Sequence, residues 1–272
     1  MDRERTWSHD GRWSGRLTSR PLPKEDDSLS ALTGDERGRL AEIWLARAAM
    51  EGTVSASFAV VRDALVALRA NAALVELAER AIDDERRHAA ICRVVASRFA
   101  GATLSAPAPL PLVVPRLDGA SPEMRHALHI VGQCVLNETT ASAFLETCLS
   151  QARGSLARAA LRELLSDEID HARIGWTYLA TASSAIREQV GRVIVSLARA
   201  NLAVWRETPR LYGASPALAA HGAPSHEAIE AALLDALKDI VVPGLETVGV
   251  ASGALREWIR GLRARFPLRA IA

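Results

Sequence analysis

Apolar residues recur three and four positions apart through most of this chain, the period of helices that bury one face. The first such stretch runs from about Thr33 to Ala70 and opens with Thr33-Gly34-Asp35-Glu36, a capping-box spacing. Asn71 is placed to cap a second helix, which runs to about Ala100 and stops at Gly101. Pro107, Pro109, Pro111, Pro115 and Pro122 then forbid a helix between Gly101 and Pro122. Ser121-Pro122-Glu123 opens a third helix, with serine as cap and proline in the first turn, and it runs to about Arg153. After Gly154-Ser155 a fourth helix spans about Leu156 to Ser183. Ile186 to Glu207 reads as a fifth, and Tyr212 to Pro224 as a turn-rich break. A sixth starts at Ser225-His226-Glu227 and is interrupted near Pro243-Gly244; about Ala254 to Phe266 reads as the last.

Loop lengths turn this string of helices into a topology. The first two helices are joined tightly near Asn71, and the third and fourth near Gly154, so each pair should form an antiparallel hairpin. The proline-rich segment between the hairpins could span ~60–70 Å at ~3.3 Å per residue. A helix of about 28 residues is only ~42 Å long. The segment can therefore cross the whole bundle and return the chain to its starting end. The expected architecture is all-α, with a four-helix bundle over residues 31–183. Residues 1–30, which lack apolar periodicity, would be a mobile arm, and residues 184–272 would be helices packed on the bundle.

Composition agrees with an all-α protein that has chain enough for a large core: 272 residues, rich in alanine and leucine. The formal charge of +1, from 33 basic and 32 acidic residues, offers no footprint for nucleic acid. Cys92, Cys134 and Cys148 show no paired spacing and fall in apolar contexts, which predicts reduced, buried thiols and a cytoplasmic protein. Met1 to Ser30 holds no apolar secretory core, and no apolar run is long enough to span a membrane.

Candidate chemistry enters through a pattern that occurs twice: Asp84-Glu85-Arg86-Arg87-His88 and Asp167-Glu168-Ile169-Asp170-His171. Glutamate and histidine three apart on a helix point the same way, so each copy can offer two ligands to one metal. Glu85 and His88 fall on the apolar stripe of Leu74, Ala78, Ala81, Ile82, Cys92 and Val95, and Glu168 and His171 on that of Leu161, Leu164, Gly175 and Tyr178. A carboxylate buried there must be paired or bind a metal. The other two bundle helices offer Glu51, whose rival is Glu42, and Glu138, whose rival is Glu146. Asp84 and Asp167 lie one turn before each histidine, placed to accept the second N–H of a ligand imidazole. Thr139 and Ser142 are candidate proton relays beside Glu138, although core packing is the commoner reason for such residues. His126, His129, His221 and His226 read as solvent or cap histidines.

From about Thr33 to Ser183 the chain resembles the ferritin-like di-iron carboxylate superfamily, which uses a Glu from each of two helices and Glu-x-x-His from each of two others. The resemblance implies that Glu51, Glu85, His88, Glu138, Glu168 and His171 hold two iron ions, with Glu85 and Glu168 bridging; manganese would suit the same donors. The first motif also fits the Asp-Glu-x-Arg-His form of bacterial multicomponent monooxygenase hydroxylases, while the second departs from it with Asp170. Cys92 stands where ribonucleotide reductase small subunits carry a radical tyrosine. Ferritins proper lack the counterpart of His171 and the long C-terminal extension. The implied function is therefore an O2-activating oxidoreductase that hydroxylates, N-oxygenates or desaturates a small organic substrate. Its electrons would come from an external reductase or ferredoxin, because no flavin motif, haem motif or four-cysteine cluster is present. Peroxide disposal and iron storage are the alternatives, and a homodimer is left open.

Overall fold

The computed structural model describes residues 21–112, 119–207 and 215–265, and every regular element among them is helical. Helix α1 (Gly34–Ala67) begins where the capping box places it: Thr33 Oγ1 accepts from Glu36 N at 3.3 Å while Thr33 N donates to Glu36 Oε2 at 2.9 Å. A short turn through Arg69, at φ 52°, leads to α2 (Ala72–Ala100), capped by Asn71 Oδ1 on Ala73 N at 2.9 Å. Gly101, at φ 67°, ends α2 in the left-handed region that glycine enters without strain.

The crossover then runs back along α1. Ser97 Oγ accepts from Leu104 N at 3.0 Å, and Thr53 Oγ1 donates to Leu110 O at 2.9 Å. Gly52 lets the crossover segment close in, since a Cβ there would lie 3.1 Å from Pro109 Cγ. The third rod of the bundle is α3 (Pro122–Ile130), a π-helical stretch (Val131–Asn137) and α4 (Glu138–Gln151), opened by Ser121 with proline in the first turn. Helix α5 (Ser155–Thr181) completes the bundle. Facing pairs fix the directions. Arg62 meets Glu79 across the short turn between α1 and α2, and Arg80 meets Asp170 while Arg87 meets Asp167 between α2 and α5, so each of these pairs is antiparallel. The result is hairpin, crossover, hairpin.

Fully buried Trp44, Phe58 and Leu65 of α1, Phe99 of α2, Ile130 and Leu136 of the third rod, and Leu161, Leu164 and Ile174 of α5 fill the interior. Each such side chain stabilises the fold by about 1.5–3 kcal/mol of transfer free energy. Gly175 lets α5 approach the π-helical stretch: a Cβ there would stand 2.7 Å from Cys134 Cβ and 2.8 Å from Val135 N. All three cysteines are free and buried, as the sequence suggests.

Helices α6 (Ser184–Glu207), α7 (Pro216–Ala220), α8 (His226–Ala236), α9 (Val242–Thr247) and α10 (Gly253–Arg265) follow the bundle, with α6 against the π-helical stretch and α8 against α4. The expected interruption at Pro243-Gly244 does not occur. A π turn over Leu237–Val241 precedes the proline, widens the helix, and lets it continue past a residue that lacks an N–H. The mobile arm expected over residues 1–30 lies outside the described residues as far as residue 20. From there the chain is held: Pro23 O and Lys24 O accept from Arg98 at 2.9 and 2.7 Å, and Asp26 Oδ2 accepts from Leu156 N at 2.8 Å, capping α5. Among the described residues no helix is long and apolar enough to cross a membrane.

Candidate metal centre

Glu51, Glu85, His88, Glu138, Glu168 and His171 come from all four rods and meet in two overlapping groups. In one, ligand atoms of Glu85, Glu138, Glu168 and His171 all lie within 4.8 Å of one another; in the other, those of Glu51, Glu85 and His88 do, so Glu85 belongs to both. His88 Nδ1 also lies 3.9 Å from Glu168 Oε1, which puts Glu168 between the groups as well. The rivals Glu42 and Glu146 are exposed, pointing away from the core. Glu85 and His88 are wholly buried and Glu138, Glu168 and His171 nearly so, while Glu51 is partly buried and lines a cavity.

These buried groups do not satisfy one another. His171 Nδ1 is 3.0 Å from Glu85 Oε1 and His88 Nδ1 is 3.4 Å from Glu85 Oε2, yet neither contact is aligned as a hydrogen bond. Both Glu85 oxygens, Glu168 Oε2 and both Nδ1 atoms are left without a hydrogen-bond partner. A buried polar atom without a partner costs about 1–3 kcal/mol, and more when charged. Carboxylate oxygens and imidazole nitrogens aimed at shared space are the donor set that iron or manganese takes, so the residues fit a pair of such ions.

Electrostatics point the same way. Burial, and then the Glu85 carboxylate, push Glu51 well above the usual carboxylate value; burial and then Glu168 do the same to Glu138. Burial also works to raise Glu85, but the adjacent His171 and His88 outweigh it and hold that carboxyl low. Burial opposes charging of His88, but Asp167 and Glu85 reverse it and raise the imidazole to about 10; His171 is raised against burial by Asp84, Glu168 and Glu85. Each of these four shifts favours a bound proton at His88, His171, Glu51 and Glu138, the atoms a divalent cation would compete for.

Asp84 and Asp167 stand behind the histidines, crossed between helices. His88 Nε2 on α2 faces Asp167 Oδ2 on α5 at 3.1 Å, and His171 Nε2 on α5 faces Asp84 Oδ2 on α2 at 3.5 Å. Each imidazole therefore turns Nε2 outward to an aspartate and Nδ1 inward.

Two amides that sequence reasoning missed hold Glu138. Gln133 Nε2 donates to Glu138 Oε1 in a short hydrogen bond, and Asn137 Nδ2 donates to the same oxygen at 3.2 Å. Gln133 Oε1 in turn accepts from Ser57 Oγ at 2.6 Å. The proposed relay residues are placed otherwise. Ser142 Oγ donates to the Glu138 main-chain carbonyl at 2.9 Å, and Thr139 Oγ1 is buried without a partner. Two further histidines depart from expectation: His221 is buried, edge-on to Phe99, and half-buried His129 lies 3.3 Å from Ser57 Oγ.

A cavity of about 40 Å³ opens directly on Glu51, Glu85, Glu138 and Glu168, walled by Met50, Val54, Phe144, Leu145 and Trp205. Buried Arg47 joins the lining, with its guanidinium 4.6 Å from the Trp44 ring and 5.0 Å from Phe144. A second cavity of about 290 Å³ shares Met50, Val54 and Asn137 with the first. It runs between α1, the crossover, the third rod and α6, and Leu110 and Val204, both more than half exposed, line it.

No family model matches the chain, and no curated protein matches its sequence. Among solved structures, it is similar to a protein with aldehyde deformylating oxidase activity from Synechococcus, at a TM-score of 0.58 and 19% identity over 86% of this chain and 99% of that one. At that identity the likeness concerns architecture, and it agrees with the topology traced above: the chain has a ferritin-like helical-bundle fold with a long crossover and added C-terminal helices.

Proposed function

We propose that this protein is a di-iron, O2-activating oxidoreductase acting on a small, largely apolar organic molecule. One observation carries the reading: two buried Glu/His groups overlap at Glu85 and open on an apolar-walled space. In this reading Glu51, Glu85 and His88 would hold one ion and Glu138, Glu168 and His171 the other, with Glu85 available to both groups. Iron bound there supplies dioxygen binding and the electron transfer that amino acids cannot. The protein contributes the rest. Asp167 is hydrogen-bonded to His88 Nε2 and Asp84 faces His171 Nε2, which leaves each Nδ1 turned inward and free to ligate. Gln133 and Asn137 bond one oxygen of Glu138 and leave the other facing His171. Met50, Val54, Phe144 and Trp205 keep bulk water away from the carboxylates, where low polarity strengthens every electrostatic interaction.

The substrate would enter through the larger cavity, whose size is at the lower end of ordinary small-molecule sites. Its mostly aliphatic lining favours an organic substrate over hydrogen peroxide, for which the small cavity alone has room. The aldehyde chemistry of the structural neighbour makes apolar aldehydes the first class to try. Electrons would come from a separate donor protein, since the chain has three cysteines, too few for a four-cysteine cluster. The test is anaerobic loading with Fe(II), followed by O2 uptake with and without a panel of medium-length aldehydes and alkanes. About two irons per chain are expected, with uptake stimulated by at least one compound. Failure to bind an iron pair would sink the reading. So would O2 uptake indifferent to every compound alongside rapid peroxide turnover.

A further inference from the structure

Arg87 touches both halves of the centre. Its Nη1 lies 2.6 Å from Asp84 Oδ1 and its Nη2 lies 2.5 Å from Asp167 Oδ2. Asp84 faces the imidazole of His171 and Asp167 that of His88, so one guanidinium stands behind two histidines on two helices. The second motif has no counterpart. Asp170 occupies the matching position and pairs instead with Arg173 at 2.8 Å and Arg80 at 3.8 Å. Two motifs alike in sequence thus share Arg87.

We infer that Arg87 is a positioning residue common to both metal subsites, acting through Asp84 and Asp167 on the rings of His171 and His88. The inference rests on reading the six converging side chains as metal ligands. A guanidinium suits the task because its planar fork presents separate N–H groups to two carboxylates at once and stays charged. Its side chain is only 18% exposed, so water cannot readily take its place. Without it, two neighbouring carboxylates lose their common counter-charge. Each aspartate is then held less firmly, and each imidazole faces a less fixed carboxylate at its Nε2.

The pattern of loss distinguishes this role from general stabilisation. The metal-stripped full chain would be titrated with Mn(II) by calorimetry, and the bound ions examined by electron paramagnetic resonance, in which an exchange-coupled pair differs from an isolated ion. Wild type is expected to bind a coupled pair. Asp167→Asn should weaken chiefly the ion beside His88, and Asp84→Asn chiefly the ion beside His171, each leaving one isolated ion. Arg87→Met should weaken both ions together, by about tenfold to a hundredfold each, and abolish the coupled signal. Arg87→Lys, which keeps the charge but not the fork, should lie between, and it carries the test if the methionine variant does not fold by circular dichroism. Wild-type affinity in Arg87→Met, or loss of one ion only, overturns the inference and leaves the metal reading standing, as does wild-type affinity in Arg87→Lys. Absence of any bound pair in wild type overturns both.

Discussion

Gln133 and Glu138 are five residues apart and hydrogen-bonded side chain to side chain, a pairing that belongs to a π-helix and not to an α-helix. The widened stretch ends at Asn137, immediately before the glutamate it serves. It brings a second amide onto the same oxygen. Gln133→Glu keeps the size but replaces the donor with a second carboxylate facing Glu138. The ion on the Glu138 and His171 side should lose about tenfold to a hundredfold in affinity, while the ion beside His88 is little changed. Metal titration of the variant by calorimetry checks this.

Sharing of Glu85 makes the two groups unequal to mutation. Glu85→Ala should abolish binding of both ions, whereas Glu51→Ala should leave one, held by Glu138, Glu168 and His171. Metal content of the purified, reconstituted variants distinguishes the two. Equal stoichiometry in both would mean that Glu85 does not join the groups.

Protons and metal compete for the same atoms, so the metal-free protein should answer to pH. His88 rises from 6.5 to about 10 on folding, and His171 is raised as well. Groups raised in the folded state stabilise fully below the unfolded value and lose that contribution as pH climbs through the folded one. Asp167, lowered from 3.8 to about 2, and Glu85, lowered from 4.5, stabilise above those unfolded values and fail as pH falls. Glu51 and Glu138, raised above 4.5, lose their contribution before the histidines do, so metal-free protein should be most stable at about pH 4.5 and lose Tm progressively toward pH 10. Metal displaces the protons, so the loaded protein should lack the alkaline decline. Thermal melts across pH, with and without chelator, show whether the two curves differ; coincident curves would count against proton–metal competition.

Gly132 lines the larger cavity with open space where a Cβ would stand. Gly132→Leu should fill part of that space without touching a candidate ligand. Two irons should still bind, while substrate-stimulated O2 uptake falls at least about tenfold, the scale on which misplacing a substrate acts. Retained stimulation would move the substrate elsewhere.

Gly175→Ala tests the close approach of α5 to the π-helical stretch. The added methyl meets Val135 main chain, which cannot swing aside as a side-chain tip can. A loss of about 1–3 kcal/mol is expected from overpacking, measurable by denaturant unfolding of the metal-free protein.

The bundle and its six converging side chains were legible because helical period assigns each residue to a face, and loop length assigns each helix a neighbour. Glu51 could be preferred to Glu42, and Glu138 to Glu146, because Glu51 lies 34 positions before Glu85 and Glu138 a similar 30 before Glu168, across matching hairpins. The crossed Asp–His pairs were half legible: spacing marks Asp84 and Asp167 as partners of histidines but not which histidine, since that depends on how two helices lie side by side. Gln133 and Asn137 were not legible, because a π-helical stretch shifts the register that an α-helical period assumes. Nor was the burial of His221, which follows from a tertiary contact with Phe99 on a distant helix. Arg87 sits inside the motif, yet its reach to the second motif depends on the same unseen alignment.

Asp26 completes the first turn of α5 across a separation of 130 residues. During synthesis Asp26 leaves the ribosome early and Leu156 late, so this cap cannot form until α1, α2, the crossover and the third rod have all emerged. Its closure is among the most sequence-distant contacts at the start of α5, the kind whose chain-entropy cost falls late in folding. The helix that presents Glu168 and His171 therefore receives its N-terminal anchor only after the other three rods exist to receive it.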